Sequence, residues 1–278
     1  MKSNIMPTER WGSIGQYLLY LRHLAAYALF AKEFVADMKV LEIGCGTGYG
    51  ANELSKCVSF LAAIDVSEEN ILYCQTKYSK DRSAFILGDG ISLPFKAGTF
   101  DVVMSFQVIE HIPSKTALNY LAEIKRVMKP GGVFILSTPN SRLRLLPFQK
   151  PWNPEHKKEY EDGELKTLLS KAFQEVKVYG LCASEEVLSI EKNRVKQTHF
   201  KAYVVIPLYR LLQRFLPSSL LFRLRRTGGI LLKPLKAEQG PVSQEIFTSK
   251  FSLKDFRINP DCPKDCIDLY GICKKTKE

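Results

Sequence analysis

The feature that most constrains this chain is a strict alternation of short apolar runs and helical segments between Lys39 and about residue 183. The runs have the length and composition of buried strands, as in VLEI (40–43), FLAAID (60–65) and FDVVMSF (100–106). Strands that alternate with helices are joined by right-handed crossovers, so they form a parallel sheet covered on both faces. Ligands of such a sheet bind beyond the carboxyl ends of its strands, where we therefore look for functional residues.

The segment before this region predicts an amphipathic helix over 14–35. Leu18, Leu21 and Ala25 recur on one side at helical spacing. Arg22 and His23 interrupt the apolar run, so the segment is predicted to be neither a signal peptide nor a membrane span.

Glycines follow the first predicted strand with the spacing Gly44-x-Gly46-x-Gly48. Glycine tolerates positive φ and has no Cβ, so a turn of this kind lets the backbone approach a ligand closely. Tyr49 stands where the dinucleotide-binding fingerprint has its last glycine. Taken alone, the spacing is also compatible with an ordinary tight turn between a strand and a helix.

Acidic residues follow the next two strands. Asp65 ends the second strand, where its carboxylate can accept hydrogen bonds from the two hydroxyls of a ribose or can cap the following helix. Asp89, in Gly88-Asp89-Gly90, can accept a hydrogen bond from an amino group such as that of adenine, or can be a simple turn residue. Because both lie at the same edge of the predicted sheet as the glycine turn, they favour a nucleoside ligand.

Five runs, in order between residues 39 and 183, resemble the class I S-adenosylmethionine (SAM)-dependent methyltransferases of type 11, in the branch related to ubiquinone and menaquinone biosynthesis. They are VLEIGCGTGYG, AIDVS, GDGISLPF, FDVVMSFQVIEHI and RVMKPGGVFILSTPN. The resemblance implies an α/β, Rossmann-like fold. Its seven-stranded, mostly parallel sheet has helices on both faces and an antiparallel last strand.

The resemblance also implies SAM as cofactor, S-adenosyl-L-homocysteine as product, and a set of cofactor-binding residues. Glu42 and the glycine turn would hold the methionine end, Asp65 the ribose, and Asp89 with Gly90 the adenine, while Phe106 and Gln107 would wall the pocket beside the sulfonium. The full set is Glu42, Gly44, Cys45, Gly46, Gly48, Asp65, Val66, Asp89, Gly90, Phe106 and Gln107.

The run DLYGICK (268–274) fits the antiparallel strand that closes the sheet of this family. We therefore expect one methyltransferase domain over 1–278, with a core at 39–183 and a closing strand at about 267–274. Residues 184–261 then form an insertion between the last two strands.

The formal charge of +11 is confined to this insertion. Residues 192–237 contain eleven of the 40 Lys and Arg and no Asp or Glu, which leaves 29 basic against 29 acidic residues elsewhere. Leu208, Leu211 and Phe215 align on one side of a predicted helix, with arginines on the other. A basic amphipathic segment of this kind is either a lid packed on the core or a contact with an anionic membrane surface. RNA binding is disfavoured because aromatic residues do not interleave with the charges.

His111 and His156 are the candidate catalytic residues, because transfer to a hydroxyl needs a general base. Each follows a predicted strand, and each is equally compatible with a structural role in its loop. The seven cysteines are odd in number and scattered, which indicates reduced thiols in a cytoplasmic protein. Their spacing does not complete a metal site, and no metal is predicted.

The predicted function is methyl transfer from SAM to a small-molecule, glycan or lipid-linked acceptor, with O-methylation favoured. The pattern NPEHKKEY (153–160) after STPN resembles, more loosely, bacterial methyltransferases of cell-surface glycans. The sequence SFQV (105–108) lacks the run of two prolines and an aromatic residue typical of transfer to adenine in nucleic acid. Two alternatives stay open: an RNA or protein methyltransferase that uses the basic insertion, and a non-catalytic partner protein. Peripheral contact with the inner membrane face accompanies the membrane interpretation of 192–237.

Overall fold

The computed structural model describes residues 11–31, 36–78, 82–208, 211, 248–262 and 264–277. Within these residues one sheet of eight strands runs in the order β3-β2-β1-β4-β5-β8-β6-β7. The strands are β1 Lys39–Ile43, β2 Phe60–Asp65, β3 Ser83–Leu87, β4 Phe100–Phe106, β5 Met128–Pro139, β6 Glu175–Ala183, β7 Phe256–Asn259 and β8 Asp268–Lys274.

The sheet confirms the mostly parallel α/β architecture. Strands β1 to β5 pair in parallel, and β8 lies antiparallel between β5 and β6. The predicted count of seven strands is wrong by one, because β7 pairs antiparallel with Gly180–Ala183 of β6. Its four residues, FRIN, are too short and too polar to predict a strand alone, and only the exposed edge of β6 makes them one.

The helices follow the predicted alternation. The N-terminal helix begins after Ser13, whose side chain accepts a hydrogen bond from the N–H of Gln16, and a π-helical turn (Ala26–Ala31) continues it. The predicted end of this helix at residues 32–35 lies outside the described residues. The helices are α1 Ile14–Ala25, α2 Tyr49–Leu54, α3 Glu68–Tyr78, α4 Ala117–Val127, α5 Ser141–Arg144, α6 Asp162–Ser170 and α7 Glu185–Phe200.

Both faces of the sheet are buried. Val40 of β1 packs in one apolar cluster together with residues of α1, whereas the next residue, Leu41, packs in a second cluster with residues of α4. Val102 and Val103 of β4 divide in the same way. This alternation follows from the pleat, and burial on both faces explains why the central strands are continuous apolar runs.

The segment predicted as an insertion is described at its two ends. Residues 185–200 form α7, a π-helical turn (Lys201–Val205) follows, and β7 precedes the closing strand. Of the predicted amphipathic helix, Leu208 and Leu211 are described, whereas Phe215 lies outside the described residues.

Among the residues that the structure describes, no helix is both long and apolar enough to cross a lipid bilayer.

Candidate active site

The glycine turn after β1 has the backbone that its sequence predicts. Gly44, Gly46 and Gly48 have φ values of +76°, +53° and +72°, a region that side chains with a Cβ disfavour. Space is restricted as well, since a Cβ at Gly48 would lie 2.5 Å from Sγ of Cys74 and one at Gly44 would lie 2.4 Å from a methyl of Val108. The turn therefore needs glycine for conformation and for close packing.

Asp65 is tied to this turn. Its Oδ2 accepts a hydrogen bond of 2.8 Å from the N–H of Gly46, and its Oδ1 accepts one of 2.8 Å from the N–H of Ser67. Within α3, Ser67 takes the capping role, because its Oγ accepts from the N–H of Asn70. Nδ2 of Asn70 also donates a longer hydrogen bond of 3.4 Å to Oδ1 of Asp65. A carboxylate offers about four acceptor positions, so Asp65 retains one for a ligand hydroxyl.

Glu42 is a buried carboxylate beside the same turn. It is 1% exposed, and Tyr27 Oη donates a 2.5 Å hydrogen bond to its Oε1. Its Oε2 has no hydrogen-bond partner among the described residues. Burial, opposed by the Tyr27 hydrogen bond and helped by nearby Asp65, raises the pKa of Glu42 to about 7. The unpartnered Oε2 of Glu42 can accept a hydrogen bond from a cationic donor such as an ammonium group.

The predicted adenine end lies at the carboxyl ends of β2 and β3. Val66, Leu87 and Ile91 are exposed there, Val66 by 74%. Asp89 is exposed, and its Oδ1 accepts a hydrogen bond from the N–H of Ile91. Gly90 is buried, and a Cβ there would lie 2.8 Å from the ring of Tyr120. Exposed apolar side chains beside a carboxylate offer a surface on which a flat polar ring can stack.

Phe106 and Gln107 end β4 beside the glycine turn. Gln107 has a φ of +57°, which is uncommon for a residue with a side chain. It is held in place by Ser137 of β5, whose carbonyl accepts from the N–H of Gln107 and whose Oγ accepts from its Nε2. Phe106 packs edge-on against Tyr27, with ring centroids 4.9 Å apart.

These residues meet in a narrow cleft. Its lining comprises His23, Tyr27, Gly44, Cys45, Gly46, Thr47, Tyr49, Phe106, Gln107 and Ser137. Five predicted cofactor-binding residues therefore lie around one opening, while Asp65, Val66, Asp89 and Gly90 lie at the ends of the neighbouring strands.

A larger cavity, which we call the chamber, adjoins this cleft and has a volume of about 410 Å³. His23 and Gln107 line both spaces. The chamber's apolar walls come mainly from α1 and α7. Its polar lining comprises Arg22, His23, Gln107, Glu110, His111, Arg144, Asn153, Glu155, His156, Glu191 and Arg194.

Both predicted catalytic histidines line the chamber. Their ring centroids lie 4.8 Å apart, and Nδ1 of His156 lies 2.7 Å from Oε1 of the buried Glu159. Burial, together with the proximity of His156, lowers the pKa of His111. His111 is therefore predominantly neutral near pH 7 and can accept a proton.

Three arginines supply positive charge to the chamber. Arg22 and Arg144 are buried, and Arg194 is half-buried beside Glu191. Burial lowers the pKa of Arg144, and the nearby charges of Arg22 and Arg194 lower it further. Cζ of Arg144 lies 4.9 Å from the ring centroid of Trp152. Nε of Arg144 lies 3.2 Å from Oε2 of Glu159.

Sequence reasoning missed several of these residues. Tyr27 reaches the site from the π-helical turn after α1, Glu110 from a 3₁₀ turn (Ile109–His111), and Arg144 from the last residue of the short helix α5. The available signal was a polar residue inside an otherwise apolar run. Glu110, next to His111 in VIEHI, is such a residue, and it is 1% exposed.

The site fits SAM on its own geometry. Glu42 has an unpartnered acceptor for an ammonium group, Asp65 retains an acceptor position for a ribose hydroxyl, and Gly44 and Gly46 of the glycine turn line the cleft. The sheet is mostly parallel, and its antiparallel strand β8 lies between β5 and β6. This sheet and the features of the site together define a class I methyltransferase fold.

The comparisons with known proteins agree. Residues 41–136 match the family described as methyltransferase domain. A protein of Mycolicibacterium smegmatis, named as a probable S-adenosylmethionine-dependent methyltransferase, is 36% identical over 158 residues, 56% of this chain and 59% of that protein. A fatty-acid O-methyltransferase of the same organism is 26% identical over 192 residues, 68% of this chain and 65% of that protein.

A solved structure shows the same fold. It is a SAM-dependent methyltransferase of Thermotoga maritima, described as a possible histamine N-methyltransferase, with a TM-score of 0.56 at 16% identity over 94% of each chain. The chain spans about three fifths of the length of the first curated relatives that it matches. The specific branch related to ubiquinone and menaquinone biosynthesis stays a prediction.

Proposed function

We propose that this protein transfers a methyl group from SAM to a hydroxyl of a lipid-linked or glycan-type small molecule held in the chamber. The observation that carries the proposal is the junction at His23 and Gln107, which line both the narrow cleft and the chamber. An acceptor in the chamber can thus meet a methyl group presented from the cleft. Orientation of this kind lowers a barrier by about 7–11 kcal/mol at best.

The cofactor supplies an electrophilic methyl group on a positively charged sulfur. Glu42 would bind its ammonium group, Asp65 its ribose, and Val66 with Asp89 and Gly90 its adenine. Phe106 and Gln107 would exclude water from the side of the cleft nearest the sulfur, because Gln107 is fixed by two hydrogen bonds to Ser137.

His111 and His156 would deprotonate the acceptor hydroxyl or hold it for attack. His156 is oriented by the 2.7 Å contact of its Nδ1 with Glu159, which leaves its Nε2 for the acceptor. The lowered pKa of His111 keeps that ring neutral and available as a proton acceptor.

Apolar walls support an acceptor with a hydrocarbon part. Leu18, Leu19, Val187, Ile190 and Phe256 line the chamber from α1, α7 and β7. The similarity to a protein named as a fatty-acid O-methyltransferase supports the same class of acceptor.

The test is an assay of purified protein with methyl-deuterated SAM against matched acceptors that carry a long-chain alcohol, a glycolipid hydroxyl, a carboxylic acid or an amine. We expect a deuterated methyl group on hydroxyl-bearing acceptors, detected by mass spectrometry. Labelling only of amines, RNA or protein would contradict O-methylation. SAM binding measured by calorimetry, without labelling of any acceptor, would favour a non-catalytic partner protein.

We also propose that the basic segment 192–237 contacts an anionic membrane surface. Its described part supports this, since six large apolar side chains are each between 42% and 53% exposed. They are Phe200, Tyr203, Val204, Ile206, Leu208 and Leu211. Apolar side chains beside a block of eleven basic residues without acids suit the boundary between headgroups and acyl chains.

Co-sedimentation with vesicles tests this contact. We expect the protein to pellet with phosphatidylserine-containing vesicles and to be released by high salt, while phosphatidylcholine vesicles leave it in solution. The double variant Val204→Ser with Leu208→Ser should reduce pelleting, with Leu118→Ser, an exposed leucine of α4, as the matched control. Equal pelleting with both kinds of vesicle would remove the electrostatic argument.

A further inference from the structure

We propose that Glu110, His111 and His156 form a binding site for a divalent transition-metal ion in the wall of the chamber. One ligand atom from each of these side chains lies within 4.8 Å of the other two. All three residues line the chamber. Their donor set, two imidazole nitrogens and one carboxylate oxygen, is typical of first-row metal sites in proteins.

The unpartnered oxygen of Glu110 is the first observation that favours a cation here. Glu110 is 1% exposed, and Thr138 Oγ1 donates a 3.0 Å hydrogen bond to its Oε2. Its Oε1 is buried and has no hydrogen-bond partner among the described residues. A buried acceptor left without a partner costs about 1–3 kcal/mol, and a bound cation would supply the partner that this oxygen lacks.

The environment of His156 is the second observation. Its Nδ1 lies 2.7 Å from Oε1 of Glu159, which is buried and accompanied by Arg144. Histidines that bind metals almost always use their second ring nitrogen in this way, because a carboxylate partner orients the ring and makes the metal-binding nitrogen more basic. His156 therefore presents Nε2 in the tautomer that a metal requires.

The local backbone holds these side chains near one another. The carbonyl of Glu110 accepts hydrogen bonds from the N–H groups of Lys157 at 2.7 Å and Lys158 at 3.2 Å. These bonds join the 3₁₀ turn at 109–111 to the loop that carries His156. Ligands of a tetrahedral zinc ion lie about 3.4 Å apart, given zinc–nitrogen bonds of about 2.0–2.1 Å. The three donor atoms, which lie within 4.8 Å of one another, would approach one another by up to about 1.4 Å to bind one ion.

The donors favour Zn²⁺ and its neighbours over Mg²⁺, which prefers carboxylate, carbonyl and water oxygens. Three protein ligands leave one position of a tetrahedral ion open, and all three ligand residues line the chamber. If the proposed function holds, the metal ion would take the place of the two histidines, whose nitrogens it occupies, as the group that activates the acceptor hydroxyl, because a bound metal lowers the pKa of coordinated oxygen. Metal binding itself does not depend on the proposed function.

The experiment uses the full-length protein after treatment with a chelator and its removal. Calorimetry with Zn²⁺ should give one tight site, and His156→Ala and Glu110→Gln should each weaken it at least tenfold. His199→Ala is the matched control, because His199 lies outside the cluster and should leave the affinity unchanged. Circular dichroism establishes that each variant is folded; if Glu110→Gln is not, His111→Asn replaces it.

Co²⁺ absorption distinguishes this site from the buried thiols. Nitrogen and oxygen ligation gives visible bands without the intense near-ultraviolet band of cobalt thiolate, and His156→Ala should abolish them. A thiolate band, or equal Zn²⁺ affinity in wild type and both variants, would overturn the proposal. Calorimetry with SAM separates the two hypotheses: SAM binding and methyl transfer without a metal site would leave the proposed function intact.

Discussion

Arg22 of α1 and Asp268 of β8 form a buried, bidentate ion pair across 246 positions of sequence, with Nε–Oδ2 and Nη2–Oδ1 distances of 2.5 and 2.6 Å. Arg22 and Asp268 are 5% and 1% exposed. Burial lowers the pKa of Arg22, but Asp268 and Glu191 more than compensate, so it lies above its usual range. The pair joins the N-terminal helix to the closing strand at the wall of the chamber.

Removing one member of this pair should destabilise the fold strongly. Asp268→Leu leaves the Arg22 guanidinium buried without its main partner, so we expect a loss of about 3–5 kcal/mol in the free energy of unfolding. The double variant Arg22→Met with Asp268→Leu removes both charges and should recover most of that loss. Urea unfolding followed by circular dichroism measures both, and a double variant less stable than Asp268→Leu would contradict this account.

Asp65→Asn should weaken SAM binding. The substitution removes the charge that strengthens hydrogen bonds to a ribose and to the N–H of Gly46, and such bonds contribute about 1.5–3 kcal/mol each. We therefore expect a roughly tenfold or greater rise in the Kd for SAM by calorimetry. Asp101→Asn is the control, because Asp101 pairs with Lys129 away from the cleft. Equal effects of the two substitutions would indicate a general loss of stability.

Gly48→Ala and Gly98→Ala separate backbone strain from steric contact. Both glycines have positive φ, at +72° and +64°, but a Cβ at Gly48 meets Cys74 Sγ at 2.5 Å whereas one at Gly98 meets nothing within 4 Å. Gly98→Ala should cost about 1 kcal/mol, and Gly48→Ala about 1–3 kcal/mol more. Only Gly48→Ala should weaken SAM binding. Thermal and urea unfolding, with calorimetry, check these differences.

Glu42 should make the cofactor-free protein lose stability as the pH rises. Its pKa is raised from 4.5 to about 7 by burial, so the folded state keeps a proton that the unfolded state releases. The protonated carboxyl of Glu42 contributes about 3 kcal/mol to the free energy of unfolding. This contribution is fully present below pH 4.5 and is lost as the pH rises past 7. Glu42→Gln, which can still accept from Tyr27, should flatten this part of the profile. Unfolding free energies at pH 5 and pH 8 give the comparison, and identical slopes in both proteins would refute it.

The positions of the candidate cofactor-binding residues in the fold were predictable from local sequence. The glycine turn, Asp65 and Asp89 each follow an apolar strand within a few residues, and parallel strands bring their carboxyl ends to one edge of a sheet. The predicted closing strand at about 267–274 coincides with β8, and that prediction came from the fit of DLYGICK to the last strand of the family's sheet.

The sequence by itself determined the alternating α/β architecture, the glycine turn and the carboxylates at the strand ends, because hydrophobic periodicity and turn chemistry act within a few neighbouring residues. Tertiary structure alone decided three features: the strand β7 on the edge of β6, the buried pair Arg22–Asp268, and the chamber that joins Glu110, His111 and His156. Each of these features depends on contacts between segments that are distant in sequence. The energies of such contacts arise from burial and charge pairing in the folded protein, so local sequence patterns do not predict them.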